Sequence, residues 1–437
     1  MAEIRPFRGV HYNQSLVGNL TKVICPPYDI ISPQLQEELY HRSKYNFIRL
    51  EHNREFPQDT AKDNKYTRVT ATLEQWQQQG ILQTDEVPAV YLHSHHFSHQ
   101  GRKYRRRGIT VCVRLEERDK MVVRPHEDTL AEPRADRLNL LRSCRANISP
   151  ILALFEDQEQ HIASLLAIQE RSQPIMSVSG TDEESHHVWA IIEPKVINQI
   201  RQSLAHQPLY IADGHHRYQS ALTYQHEQLS NSSSASGDES FNFVMMTLMD
   251  FADPGLIILP AHRLVRGISK STMNGLMPKL EPFFAVDELP LDIPDIRQQV
   301  DDLLAGEANQ VRLALFGLIP EHLLVLRLRD FTTASSMMPY SHSELYKKLD
   351  VSILDHIILE KLLDIINGGE ETSLAYNYDS LDAVKKVLDQ EYQLTFLLSP
   401  TRAEVVKAIA DAGDRMPRKS TYFYPKLPAG LVFYRLG

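Results

Sequence analysis

Residues 209–222 read LYIADGHHRYQSAL and place Asp213, Gly214, His215, His216 and Arg217 side by side. The apolar run Leu209–Ala212 after Pro208 predicts a short strand, and Tyr218, Ala221, Leu222 and Leu229 have helical spacing, so the five residues fall on the turn between them. A glycine there lets the backbone turn without a Cβ clash, and a helix that starts there directs unpaired N–H groups and a positive dipole end outward. Such a turn favours an anion. Arg217 in the first turn opposes the dipole by itself, but its planar fork suits a phosphate held at the helix start. Asp213 has the chemistry to bind Mg²⁺, to accept a proton from a hydroxyl, or to cap the helix. His215 and His216 can donate to phosphate oxygens or move a proton near neutral pH. A lone Asp-Gly before a helix is usually a cap and a turn, whereas four competent side chains in five residues point to a site. Neither GxGxxG nor GxxxxGK[ST] occurs here.

A second constellation runs from Arg124 to Thr129 and continues through Arg134, Asp136, Arg137 and Asn147-Ile148-Ser149-Pro150. Glu127 and His126 offer a general base, and Arg137 and Asn147 offer phosphate contacts. The plainer alternative for Asp136 and Arg137 is a solvated helix face. Near the C-terminus Arg418, Lys419, Ser420, Thr421 and Lys426 combine cations with hydroxyls, as phosphate ligands or as a polar loop. Arg102–Gly108 is a basic stretch whose alternation sends Arg105 and Arg107 to one face and Arg106 to the other. His93, His95, His96 and His99 invite a metal, but no carboxylate or cysteine completes the set nearby, so no metal ligand is assigned.

These groups must be positioned by an ordinary folded chain. The 437 residues suggest two or three domains, and with 42% hydrophobic and 24% charged residues and three cysteines no disulfide framework is needed. A net charge of −9 argues against non-specific nucleic-acid binding. The N-terminus lacks a signal-peptide core and the apolar runs are short for a membrane span, so a cytoplasmic protein is expected. A helix is expected over Gln34–His41 behind Pro33, and an amphipathic one over 60–79 with Tyr66, Val69, Leu73 and Trp76 inward. Ala89–Phe97 and Lys103–Leu115 read as a hairpin, followed by a helix over Ala135–Arg145 and a strand from Ile151. Ser230–Ser240 has the composition of a slack loop tip. Prolines cluster between Pro282 and Pro294, which places a boundary between a main domain, 1–285, and a C-terminal α/β domain, 286–437.

Several stretches together resemble a large bacterial and archaeal family known as the domain of unknown function 1015: CPPYDII, NFIRLE, PHEDTL with DRLNLL, NISPI, ADGHHRYQSAL, DPGLIILPAHRL, LDVSILDHIIL and MPRKSTYFYPKLPAGLV. Its DGHHR turn is similar to the core motif of the ParB/sulfiredoxin superfamily, and free serine kinases carry a similar DGHxR turn with a separate glutamate proposed to activate the substrate hydroxyl. The resemblance implies an α+β fold, a mixed-sheet ParB/sulfiredoxin-like core with additional α/β elements and a C-terminal α/β region. It implies a phosphate and substrate centre at Asp213, Gly214, His215, His216 and Arg217. Glu127 is the candidate for the separate base, without a motif match to the kinase glutamate.

The function expected is a phosphotransferase-type enzyme on a small hydroxylated metabolite such as serine or phosphoserine, using Mg²⁺ and a nucleotide (ATP, ADP or CTP). The alternatives are a non-enzymatic ParB-like nucleotide-binding or DNA-associated regulator and a metal-dependent phosphate-ester hydrolase. The helix-turn-helix that ParB proper carries is not legible here.

Overall fold

In the computed structural model, residues 2–180, 184–231, 236–292, 294–304, 310–365 and 373–436 are described, so Ile366 and residues 232–235 of the serine-rich stretch lie outside them. The chain divides into two compact units: Met1–Pro125 with Thr129–Ile257 and Pro425–Gly437, and His126–Asp128 with Ile258–Tyr424. Pro282 and Pro294 fall inside the second unit.

Among the described residues the first unit is built on a nine-stranded sheet. Its main path runs through Val123–Pro125, Leu209–Asp213, Ile151–Phe155, Phe243–Asp250, Arg102–Arg114, Val90–His99, Ser185–Ile191 and Met176–Ser179, and Ile4–Arg5 joins Arg102–Arg114 at the side. The sheet is mixed: Leu209–Asp213 runs parallel to Val123–Pro125 and antiparallel to Ile151–Phe155. The expected hairpin is there, with His99 opposite Arg102 across Gln100 and Gly101, both at positive φ, the backbone a two-residue loop requires. A smaller antiparallel sheet joins Leu82–Thr84, Gly9–Tyr12, Phe433–Arg435 and Ala146–Asn147.

Helices cover these strands where their spacing allows. Lys65–Gln78 opens with an Asn64–Thr67 capping box and buries Val69, Leu73 and Trp76, the stripe its sequence marks out. Pro33–Arg42 starts behind Ser32, whose side chain accepts from the Leu35 N–H. The helix expected from Ala135 begins four residues earlier, at Ala131, because Pro133 is tolerated in a first turn, and it ends at Cys144 with Arg145 left-handed.

The second unit has a six-stranded antiparallel sheet, in the order Phe284–Pro290, His322–Leu328, Arg312–Phe316, Leu394–Leu397, His262–Val265 and Leu374–Asn377. The sequence predicts a helix over Val351–Ile366, and the structure has an α-helical turn over Asp350–Ile353 that continues as a π-helix over Leu354–Leu362. The molecule is thus a mixed α/β protein. No helix among the described residues is long and apolar enough to cross a membrane.

Candidate functional site

Leu209, Tyr210, Ile211 and Ala212 are buried, which fixes the strand that carries Asp213 to the sheet's end. Its register shifts between Ile211 and Asp213, so a bulge re-aims the last residue. Gly214 follows at φ +93°, and a Cβ there would stand 2.9 Å from Nε of Arg217. Glycine thus meets two demands: the left-handed backbone and the return of the guanidinium across it. The helix His215–Asn231 starts at once, with the Tyr218 N–H bonded to the Gly214 carbonyl at 3.0 Å.

Arg217 reaches back to Asp213, Nη2 to Oδ2 at 2.5 Å, and donates from Nη1 to the carbonyl of Pro150. The other Asp213 oxygen is ion-paired with Lys426, whose ammonium also lies 3.8 Å from Asp29. Burial alone would raise the Asp213 pKa, but Lys426 and Arg217 outweigh it and hold the carboxyl well below the ordinary range. Asp213 is therefore held ionised, with cations on both oxygens. Nε of Arg217 is buried and has no hydrogen-bond partner among the described residues.

A second carboxylate faces the opposite situation. Glu51 closes the short helix Ile48–Glu51 and is almost wholly buried, at 1% exposure. Its Oε1 accepts from the Tyr28 N–H and from Ser149 Oγ, both at 3.1 Å, while Oε2 has no hydrogen-bond partner among the described residues. Burial raises its pKa against the pull of Arg137 and Arg217. A cavity of about 40 Å³ is lined by Glu51, Arg137, Ser149, Arg217 and Ser220 on its polar side, roomy enough for a water-sized occupant. The same surroundings push the Tyr28 hydroxyl, chiefly by burial, up to about 12.

Arg137, expected as a phosphate contact or as part of a solvated face, is buried instead. It is ion-paired to Asp136 at 2.5 Å, lies 3.9 Å from Oε1 of Glu51 and donates to the Glu51 carbonyl at 3.0 Å. Its guanidinium also covers the Tyr28 ring at 4.0 Å. Asn147 lines the same cavity, but its side-chain oxygen accepts from the Met245 N–H at 2.8 Å. His215 is buried at the helix start and His216 is partly exposed beside it.

The first unit thus assembles Asp213, Gly214, His215, His216, Arg217 and Arg137 with three residues far away in the chain: Asp29, Glu51 and Lys426. Glu51 and Asp29 are not evident as functional residues from the sequence. The trace is an acid closing the NFIRLE stretch and another in CPPYD.

His126, Glu127, Lys419 and Ser420 belong to the second unit, where they hold one another. Glu127 accepts from the Ser420 N–H at 3.3 Å, and His126 is bonded through Nε2 to Thr421 Oγ1 at 2.9 Å. Ser420 Oγ donates to the Pro417 carbonyl, and Lys419 is left-handed at φ +56°, its carbonyl accepting from Arg263 at 2.9 Å. The basic stretch at 102–108 is partly neutralised, since Arg105 pairs with Glu170, Arg107 lies 3.9 Å from that carboxylate, and Arg106 is buried.

Comparison with known proteins places the chain. No curated protein sequence matches it. Solved structures similar to it include a conserved hypothetical protein from Pyrococcus furiosus, at 14% identity, covering 75% of this chain and 95% of that one with a TM-score of 0.35. Free serine kinase in complex with AMP is similar at 14% identity over 74% of this chain and 91% of that one, TM-score 0.35. SbnI with C-terminal truncation from Staphylococcus aureus is similar at 9% identity over 74% and 85%, TM-score 0.33. The family model described as "Protein of unknown function (DUF1015)" matches residues 4–352, and the chain belongs to that family.

Proposed function

We propose that the chain is a phosphotransferase-type enzyme that moves a phosphoryl group between a nucleotide and the hydroxyl of a small metabolite. One observation carries this reading: two carboxylates beside Arg217, Asp213 and Glu51, have pKa values displaced in opposite directions. Asp213, with cations on both oxygens, anchors Arg217 and Lys426 and is a poor proton acceptor. Glu51, with a raised pKa and an oxygen lacking a hydrogen-bond partner, is the better acid–base group. We therefore assign the base to Glu51, in preference to Asp213 or to Glu127.

In this scheme the hydroxyl proton passes to Oε2 of Glu51 as the oxygen attacks phosphorus, and the P–O bond to the rest of the nucleotide breaks, so that the nucleotide leaves with one phosphate fewer. Arg217, Lys426 and the N–H groups at the start of the 215–231 helix carry the charge on the transferring group. His215 and His216 are proposed to donate to its oxygens. These donors suit a phosphate-bearing ligand, and a bound nucleotide (ATP, ADP or CTP) supplies the phosphoryl group. Mg²⁺ does not fit on Asp213 as the side chains stand, because both of its oxygens already hold cations. The similarity of the DGHHR turn to the DGHxR turn of free serine kinases is what suggests serine, or phosphoserine in the reverse direction.

Thermal shift with ATP, ADP and CTP, each with and without serine or phosphoserine, tests the reading, since a ligand at 100 times its Kd adds about 2.7 kcal/mol. Stabilisation by a nucleotide together with phosphoryl transfer to serine is the expected result. Stabilisation without transfer would favour a nucleotide-binding regulator, and no response to any of these ligands would remove the proposal.

A further inference from the structure

The histidines of the Val90–His99 strand lack a nearby carboxylate in sequence, and the fold supplies one. Ser185–Ile191 pairs antiparallel to that strand with His186 opposite His95, and Glu184 stands immediately before it. Oε1 of Glu184 lies 2.7 Å from Nε2 of His95 and 3.5 Å from Nε2 of His186. The ligand atoms of the three residues all lie within 4.8 Å of one another. His93, on the same strand face, places Nε2 3.1 Å from Nδ1 of His186.

We propose that His95, His186 and Glu184 bind one divalent transition-metal ion of the Zn²⁺ class, with His93 as the outer partner that orients His186. Two imidazole nitrogens and one carboxylate oxygen match the donors such an ion takes, and three protein ligands leave a position for water. Glu184, 46% exposed at its side chain, marks the way in, while His95 is fully buried. A ligating histidine ordinarily donates its other N–H to a fixed partner, and His93 is that partner for His186. The second ring nitrogen of His95 is buried without a hydrogen-bond partner among the described residues.

With the three rings neutral, binding needs no loss of protons. Each of the three rings moves its proton from Nε2 to Nδ1, which frees Nε2 of His95 and His186 for the ion and lets Nδ1–H of His186 donate to Nε2 of His93. Arg106 opposes the ion electrostatically from the facing position on the next strand, so affinity rests on the ligands' geometry.

The cluster is separate from the Asp213 centre. Four steps along the sheet order part the Leu209–Asp213 strand from Val90–His99, roughly 19 Å at about 4.8 Å per strand.

The test uses the full chain, stripped with a chelator and dialysed, titrated with Co²⁺ for its visible d–d absorption and with Zn²⁺ against a chromogenic chelator. One equivalent is expected to bind. Glu184→Gln should weaken Zn²⁺ by more than 100-fold, His93→Gln by about 10–100-fold as an outer partner does, and Glu184→Asp should recover part of the loss. Circular dichroism melts check that each variant is folded, and the exposed position of Glu184 favours that. If Glu184→Gln binds Zn²⁺ as tightly as the unaltered chain, the ion sits on others of the 19 histidines and the proposal fails. It fails equally if the stripped chain takes up no Co²⁺ or Zn²⁺.

Discussion

Each unit contains an arginine paired to an aspartate, fully buried in the second unit and half-buried in the first, and the two pairs are built for different ends. In the second unit Arg263 is fully buried and directs Nε and Nη2 at the two oxygens of Asp355, each at 3.3 Å. Its remaining donors reach the carbonyls of Ala261 at 2.5 Å, Lys419 at 2.9 Å and Arg418 at 3.2 Å. Every nitrogen has a protein partner, and the fork clamps the turn at 418–419. In the first unit Arg217 shares its aspartate with Lys426, leaves Nε without a hydrogen-bond partner among the described residues, and borders a cavity that also receives Glu51. A closed pair fastens a chain. An open one, with a glycine beneath it and a helix start beside it, has capacity left for a ligand.

The largest effect expected from this contrast falls on turnover. Glu51→Gln keeps the size of the side chain and the acceptor for Tyr28 and Ser149 but removes the proton-accepting oxygen, so transfer should drop about 10²–10⁴-fold with the fold retained. A turnover near that of the unaltered chain would move the base elsewhere.

Arg263→Met should show the reverse pattern. Removing one partner of a buried pair leaves Asp355 uncompensated and costs about 3–5 kcal/mol, read as a lower urea midpoint for the second unit, while nucleotide affinity of folded protein is unchanged. Loss of affinity without loss of stability would mean that the closed pair serves a ligand.

Arg217→Lys is expected to fall between the two. The charge stays, but one ammonium cannot serve Asp213, the Pro150 carbonyl and a phosphate together, so nucleotide binding should weaken by about tenfold, roughly 1.4 kcal/mol. Isothermal titration against ADP checks it, and unchanged affinity would reduce Arg217 to a clamp like Arg263.

How much of this contrast is legible in the sequence depends on the range of the contacts. The strand, the glycine, the helix start and the return of Arg217 to Asp213 lie within nine residues, and local rules reach them. The alternation of 102–114 likewise separates buried Arg106 from Arg105 and Arg107. Glu51 and Lys426 enter from 162 residues before and 213 after Asp213, positions that no periodicity connects. Glu184 is hidden for the same reason: a strand pairing across about 90 residues brings it to His95. The acid, imidazole and hydroxyl of the PHEDTL segment are the residue types of a catalytic loop, and the partners of Glu127 and His126 in the fold are the Ser420 N–H and the Thr421 hydroxyl, which local rules do not reach. Residue type announces chemistry, and only partners reveal whether it is already used.

The smallest expected effect is a difference of sign in acid, and it separates the two pairs most cleanly. Asp213 has a folded pKa below its unfolded value of about 3.9. Its contribution is therefore complete above about pH 4 and is lost as pH falls through the folded value. Asp355 is displaced the other way, because burial outweighs Arg263. Its ionised form is a burden above its raised folded pKa, and protonation relieves that burden as pH falls toward about 4. The stability gap between the unaltered chain and Asp213→Asn should thus narrow below about pH 4, whereas the gap for Asp355→Asn should widen on approach to that pH from above. Urea midpoints at steps of half a pH unit would show both trends. Parallel trends in the two variants would mean that the cations at Asp213 do no more for it than Arg263 does for Asp355, and the distinction between an open and a closed pair would lose its electrostatic basis.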